Sequence, residues 1–284
     1  MAEADESIDE QQLQVAKKAM ESGHGEDAVR IYGKMLKQDP DNAELLAYRG
    51  AARYDLGDFE GAEADLVRAL ELAPDAMHPN YYLGLVKLRM GDLRGASAFQ
   101  KKALALAKDG EERSAVLDAM GQIAFYQQDY GKAIAHFSAS IEGKESYPAY
   151  SHRAVARIKQ GDYEAAEADY ARLMELYPNN GELYHQRGIC RGKEGKYNAA
   201  LEDLTMAISL DPQNPALYND RGYTYACKKK FQEAIEDYTM ALSLDAKFRL
   251  AYVNRAAAYE KTGKNDLARR DRALLEQLME FEEG

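Results

Sequence analysis

The chain lacks several features that would assign it to a common functional class. Its 284 residues include no tryptophan, seven prolines and only two cysteines, Cys190 and Cys227. Two cysteines provide neither a disulfide framework nor a metal finger, so they favour a reduced, cytoplasmic protein. No stretch approaches the roughly 20 apolar residues that a helix needs to cross a bilayer. The acidic start, residues 1–8, has no basic or apolar run, so it is not expected to be a signal peptide.

An excess of basic residues is missing as well. The chain has 48 acidic and 37 basic residues, and its net charge at pH 7 is −11. Because phosphate contacts need lysine and arginine, this balance argues against a nucleic-acid partner. The chain also has no glycine-rich phosphate loop, no HExxH motif and no nucleophile elbow. We therefore expect no catalytic residues, no cofactor, no metal, no small-molecule substrate and no membrane partner.

What the chain does have is internal repetition. A small residue recurs at steps of 34, 34, 37, 33, 34, 34 and 34, at Ala16, Gly50, Gly84, Gly121, Ala154, Gly188, Gly222 and Ala256. An alanine follows each of them by twelve residues, at Ala28, Ala62, Ala96, Ala133, Ala166, Ala200, Ala234 and Ala268. Each period holds two amphipathic helical patterns, separated by turns such as LGDF and QGDY. One such hairpin cannot bury its apolar face alone, so neighbouring hairpins must stack.

Two further positions each carry a large apolar or aromatic side chain in six of the eight periods. Leucine or tyrosine stands four residues before the small residue, at Leu46, Leu117, Tyr150, Tyr184, Tyr218 and Tyr252. Large side chains also stand four residues after the fixed alanine, at Tyr32, Leu66, Phe137, Tyr170, Leu204 and Tyr238. This pattern resembles the tetratricopeptide repeat (TPR) family.

The resemblance covers nearly the whole chain. It implies an all-α fold, a right-handed superhelical α-solenoid of antiparallel helix pairs. We expect an acidic N-terminal tail over residues 1–8, followed by a single solenoid over residues 9–284. Its eight repeats would span 9–42, 43–76, 77–113, 114–146, 147–180, 181–214, 215–248 and 249–284, and the last would include a terminal capping helix.

Repeat four is irregular. It is entered through ALALAKDGEERSAVLD, residues 103–118, which is three residues longer than the period allows. We expect a longer helix and a changed stacking angle here. A tolerated insertion and a functional hinge are both compatible with this pattern.

Arginine and aspartate occur together, sixteen residues apart, in five of the eight repeats. The pairs are Arg49 with Asp65, Arg153 with Asp169, Arg187 with Asp203, Arg221 with Asp237, and Arg255 with Asp271. The other three repeats lack both members. Pairing with the aspartate of the preceding repeat fails at three junctions. We therefore predict a structural ion pair inside each of the five repeats, joining its two helices.

In TPR proteins, partners lie on the concave face formed by the first helix of each repeat. The resemblance therefore implies a partner-binding set at Tyr48, Tyr54, Tyr81, Tyr82, Leu85, Leu88, Phe125, Tyr126, His152, His185, Asn219, Tyr223 and Asn254. The tyrosines of repeats two to four favour an interface. Packing of some of them between neighbouring repeats is the alternative. An extended or helical peptide is the expected ligand.

These observations predict a non-catalytic adaptor or scaffold for a protein or peptide partner. The oligomeric state is open, and a monomer is favoured. The alternative is a peptide-responsive regulator that changes its superhelix around repeat four. A third reading is a chaperone-binding co-chaperone, since YVNRAAAY at 252–259 resembles one unit of a carboxylate clamp, but Asn219 and Tyr223 depart from that pattern. A metal site at His152 and His185 is disfavoured because metals normally take three or four ligands.

Overall fold

A computed structural model describes the backbone of residues 2–283 and the side chains of residues 10–279. Within residues 2–283 the chain forms sixteen α-helices and no strand. The helices are α1 (Ala2–Glu21), α2 (Gly25–Gln38), α3 (Ala43–Asp55), α4 (Phe59–Leu72), α5 (Met77–Arg89), α6 (Leu93–Leu106), α7 (Gly110–Tyr126), α8 (Tyr130–Gly143), α9 (Tyr147–Gln160), α10 (Tyr163–Leu176), α11 (Gly181–Lys193), α12 (Tyr197–Leu210), α13 (Pro215–Cys227), α14 (Phe231–Leu244), α15 (Arg249–Lys261) and α16 (Asn265–Glu283). The predicted all-α solenoid class is confirmed.

The chain divides into two compact units, residues 1–149 and 150–284, and the division falls inside α9. In the first unit, α3 and α7 both contact α5. In the second unit, α11 and α15 both contact α13. The first helices of successive pairs therefore lie side by side in each unit, and we call the surface they form the first-helix face. The acidic segment 1–8, expected to be a tail, is helical from Ala2 onward as part of α1.

Close approach of the two helices explains the small residue in each period. A Cβ atom added to Gly121 would lie 2.5 Å from Phe137, and one added to Gly222 would lie 2.8 Å from Tyr238. These distances are too short for any side chain larger than hydrogen. The alanine twelve residues after each small residue is almost completely buried in all eight repeats.

The turn inside each pair contains one residue in the left-handed conformation, which is glycine in six of the eight repeats, and an aspartate caps the following helix in repeats two to five. Gly57 has a φ of +81°, and the Asp58 carboxylate accepts a hydrogen bond from the Gly61 amide. Glycine and aspartate thus end one helix and cap the next. In repeats four and seven the left-handed position is held by Gln128 and Lys229, with φ of 62° and 61°. This conformation is unfavourable for residues other than glycine.

Helix α7 accounts for the irregularity of repeat four. It has 17 residues, whereas α3, α5, α11, α13 and α15 each have 13, so the predicted longer helix is confirmed. It begins at Gly110, before the predicted repeat boundary at residue 114. The Asp109 carboxylate accepts from the Glu112 amide, and the Glu112 carboxylate accepts from the Lys108 amide. This reciprocal capping starts the helix early.

Gln100 is an exception in the core. It occupies the position that Leu66 and Phe137 hold in neighbouring repeats, and it is fully buried. Its amide nitrogen donates to the Tyr81 carbonyl oxygen at 2.9 Å, while its Oε1 has no hydrogen-bond partner. An unpaired buried oxygen costs about 1–3 kcal/mol.

We predict that Gln100→Leu stabilises the protein by about 1 kcal/mol, because it removes this unpaired oxygen. The Tyr81 carbonyl keeps its partner in the helix ladder. Urea unfolding followed by circular dichroism measures the effect, with the exposed Gln232→Leu as control. A loss of stability in Gln100→Leu would contradict the prediction.

Candidate protein-interaction face

The structure places all five arginine–aspartate pairs in two-bond contact across their repeats. Arg187 donates from Nε and Nη2 to the two carboxylate oxygens of Asp203, at 2.9 and 2.7 Å. The other four pairs have the same geometry, at Arg49–Asp65, Arg153–Asp169, Arg221–Asp237 and Arg255–Asp271. All five aspartates are buried. The hydrogen bond to Asp203 is the main cause that raises the pKa of Arg187.

A tyrosine completes this arrangement in four of the five repeats. The Arg187 guanidinium lies 5.9 Å from the ring centre of Tyr184, three residues earlier on the same helix. Arg153, Arg221 and Arg255 lie in the same way over Tyr150, Tyr218 and Tyr252, at 5.3 to 5.8 Å. Repeat two has Leu46 at this position instead. Sequence reasoning missed this contact, although the recurring Y-x-x-R spacing contains it.

Besides its two bonds, each ion pair makes one further contact, and the partner in that contact differs from repeat to repeat. In repeats two, five and six a second arginine binds the same carboxylate, at Arg53, Arg157 and Arg191. In repeats seven and eight the Nη1 of the arginine donates to a threonine of the preceding repeat. Arg221 reaches Thr205 at 3.3 Å, and Arg255 reaches Thr239 at 3.1 Å. These two arginines therefore join three helices rather than two.

Four tyrosines of the first unit form one continuous aromatic cluster with a histidine on the first-helix face. Tyr48 and Tyr82 both contact the ring of His78, at 6.3 and 5.2 Å between ring centres. Tyr82 also contacts Tyr54 and Tyr81, at 6.0 and 5.2 Å. We call these five residues the aromatic cluster. His78 was not predicted, although it stands one helical turn before Tyr82.

The four tyrosine rings of the aromatic cluster are only partly exposed, whereas His78 is exposed. Tyr48 stacks on the buried Tyr32 at 5.8 Å, and Tyr54 and Tyr82 pack against the core between repeats two and three. Burial is the main cause that raises the pKa of both Tyr81 and Tyr82. These phenols are therefore neutral at physiological pH and able to donate hydrogen bonds. Each ring combines a packed side with an accessible side.

The remaining predicted residues of the first unit lie beyond the cluster. Leu85 and Leu88 are half-buried on α5. Phe125 contacts Tyr126 and Tyr130 at 6.1 and 5.5 Å between ring centres, in a separate group. Tyr126 is the most exposed of the predicted aromatic residues, with 59% of its surface accessible.

The predicted residues of the second unit form a polar network instead. The Asn254 amide donates to Asn219 Oδ1 at 2.9 Å, and the Asn219 amide donates to Asp220 Oδ1 at 3.1 Å. Asp220 Oδ2 lies 2.7 Å from His185 Nε2. Asn219 and His185 are buried, so they are poorly placed for direct contact with a partner. The predicted partner-binding set does not include Asp220, which connects repeats six, seven and eight.

Beside this network lies a cavity of about 440 Å³, lined in part by Asn219, Asp220, Tyr223 and Asn254. Tyr223 is exposed at its edge, and His152 is half-buried on α9. Burial alone would lower the pKa of His185, but hydrogen bonds with Asp220 and Glu182 outweigh it and raise the pKa to about 9.

Neither a metal site nor a membrane span is found in the part of the chain that the structure describes. No group of three or more histidine, cysteine, aspartate or glutamate side chains is arranged to hold a metal ion there. None of its helices is both long and apolar enough to cross a membrane.

Comparison with known families assigns the repeats. Family models described as tetratricopeptide repeat match residues 19–75, 49–111, 147–180 and 215–248, and one described as TPR repeat matches residues 193–229. The chain belongs to the tetratricopeptide repeat family. TPR proteins are generally non-catalytic, and protein–protein interaction is the function class of this TPR chain.

Solved TPR structures share the fold at low sequence identity. YrrB, described as a TPR protein with an unusual peptide-binding site, is 22% identical, with a TM-score of 0.56 over 66% of this chain and 95% of its own. PilW, a type IV pilus biogenesis factor, is 20% identical, with a TM-score of 0.65 over 72% of this chain and 94% of its own. The Cut9–Hcn1 complex of APC/C is 14% identical, with a TM-score of 0.65 over 86% of this chain and 48% of the matched chain.

We predict that Asp203→Ala destabilises this TPR protein by about 3–5 kcal/mol, because it leaves Arg187 and Arg191 without their shared carboxylate. Arg187→Ala and the double variant complete a cycle whose coupling energy urea unfolding measures. Arg30→Ala, which breaks an exposed pair with Asp27, is the control and should cost less than about 1 kcal/mol. Additive losses at Arg187 and Asp203 would contradict the pairing.

We also predict a pH-dependent contribution from His185. Its pKa in the folded protein lies near 9, above the ordinary 6.5, so the folded state binds the proton more tightly. The stabilisation is complete below about pH 6.5 and disappears as the pH rises towards about 9. His185→Gln should therefore destabilise the protein at about pH 6 and much less at about pH 9.5.

Urea unfolding at several pH values measures this difference, and His24→Gln provides an exposed histidine as control. A stability difference between wild type and His185→Gln that does not change with pH would contradict the role of the Asp220 contact.

Proposed function

We propose that this TPR protein is a non-catalytic adaptor that binds a peptide or partner domain on the first-helix face of residues 1–149. The observation that carries the proposal is the aromatic cluster, in which each ring contacts the next and remains partly exposed. Tyrosine is enriched among the residues that dominate binding energy at protein interfaces.

The packing of the cluster favours binding. Rings that already contact their neighbours lose little conformational freedom when a partner covers them. Neutral phenol groups add hydrogen-bond donors at the edge of an apolar surface. Leu85, Leu88, Phe125 and Tyr126 extend the proposed surface along the same sequence of first helices.

The second unit provides a secondary contact in this proposal. Tyr223 presents an exposed ring beside the cavity, and the half-buried Asn254 supplies an amide. The hydrogen bonds among His185, Asn219 and Asp220 would fix the side-chain positions on this surface. A clamp for a partner's terminal carboxylate is disfavoured here, because the Asp220 carboxylate would repel it.

We predict that Tyr81→Ala/Tyr82→Ala reduces recovery of partner proteins by about tenfold or more in an affinity pull-down from cells of the source organism, since two interface tyrosines would be lost. Quantitative mass spectrometry compares each partner between the variant and the wild type. Tyr126→Ser, at an exposed position, tests the same surface with less risk to folding.

The matched control is Met206→Ala/Met240→Ala, which removes two exposed apolar side chains from the second helices α12 and α14. Circular dichroism verifies that every variant is folded. Undiminished recovery with both tyrosine variants would place the interaction elsewhere.

A further inference from the structure

The aromatic cluster already binds cations of its own chain at both ends. The Lys17 ammonium lies 4.6 Å from the ring centre of Tyr48. At the other end, Arg89 Nε lies 3.4 Å from the hydroxyl oxygen of Tyr54, and Arg89 also interacts electrostatically with Tyr126. The face of the Tyr48 ring carries partial negative charge, which attracts Lys17, whereas Arg89 donates to the hydroxyl oxygen of Tyr54. The cluster is therefore suited to positive charge.

Carboxylates outnumber these two cations around the rings. Glu44 accepts a hydrogen bond from the Tyr48 hydroxyl at 2.9 Å. Besides burial, the negative charges of Asp55 and Asp118 raise the pKa of Tyr81, and the charge of Asp55 also raises the pKa of Tyr82. Glu112 interacts electrostatically with His78. The rim of the cluster thus has an excess of negative charge.

Asp55 differs from the other carboxylates of the rim. It is the last residue of α3, directly after Tyr54. Within residues 10–279, no side chain forms a hydrogen bond or an ion pair with the Asp55 carboxylate. Asp55 is exposed, so its carboxylate is accessible to a cation of a partner. Partial desolvation raises its pKa, and a cation placed beside it would offset that cost.

We infer that the partner segment binds the aromatic cluster through an arginine or lysine side chain, which lies against Tyr54 and Tyr82 and pairs with Asp55. This inference rests on the proposed function and adds the chemistry of the partner. The aliphatic part of such a side chain would cover the rings, and its charged end would reach the carboxylate. The net charge of −11 would also attract a basic segment to the protein.

The test is selection of peptides from a random phage-displayed library on the purified full chain. Selected peptides are synthesised, and their binding is measured by fluorescence anisotropy. We expect enrichment of arginine and lysine, loss of binding with Tyr81→Ala/Tyr82→Ala, and about tenfold weaker binding with Asp55→Asn. Binding should also weaken as the salt concentration rises.

Asp75→Asn is the matched control, because Asp75 is an exposed aspartate in the same unit. It should leave binding unchanged. When the basic residue of a selected peptide is replaced by its uncharged analogue, citrulline or norleucine, the peptide should bind the wild-type protein more weakly. This loss of affinity should equal the loss caused by Asp55→Asn. That peptide should lose little further affinity when it binds the Asp55→Asn variant.

The outcomes separate this inference from the proposed function. Tyrosine-dependent peptides without basic residues, or peptides insensitive to Asp55→Asn, would overturn the inference and leave the adaptor proposal in place. A selection that returns no tyrosine-dependent peptide would contradict both.

Discussion

Close contact between the two helices of each repeat is the constraint on which the structure depends. In repeat seven the ring of Tyr238 lies where a side chain on Gly222 would begin, and in repeat two Leu66 does the same at Gly50. Because the helices approach so closely, each repeat has one small position and one large position facing each other. The arginine beside the small position then lies opposite the aspartate beside the large one, and their two bonds fix the rotation of one helix against the other.

The same geometry separates structural from accessible positions on the first helix. In the five repeats with the ion pair, the arginine before the small position is bound to the aspartate, so it is not available to a partner. Residues on the neighbouring positions of that helix, such as Tyr48 and Tyr82, reach the first-helix face. These rings also pack against the core of their own repeats, so the same side chains stabilise the fold and would contact a partner. A partner would therefore meet side chains whose orientation is already set by the repeat.

Much of this arrangement is predictable from the sequence, since a period of 34 residues and the joint presence of arginine and aspartate need no coordinates to be seen. The bond between Arg221 and Thr205 was not predictable in this way, because it depends on how successive repeats are packed. The burial of Asn219 and the link from Asp220 to His185 depend on the same packing. Helical spacing predicts which face of its helix a residue occupies, but it does not predict which neighbouring residues cover that face. His78 was missed because the family pattern assigns no role to its position.

The contact from arginine to threonine makes the order of the last repeats significant. Repeats two, five and six supply the second arginine from their own first helix, at Arg53, Arg157 and Arg191, although Arg191 also binds Glu167 of repeat five at 2.7 Å. Repeats seven and eight instead need a threonine from the repeat before them, at Thr205 and Thr239. Repeat two has valine at the equivalent position, Val67. An array rebuilt by duplication or exchange would keep the second arginine of repeats two, five and six in any order, whereas repeats seven and eight would keep their third hydrogen bond only behind a repeat that carries the threonine.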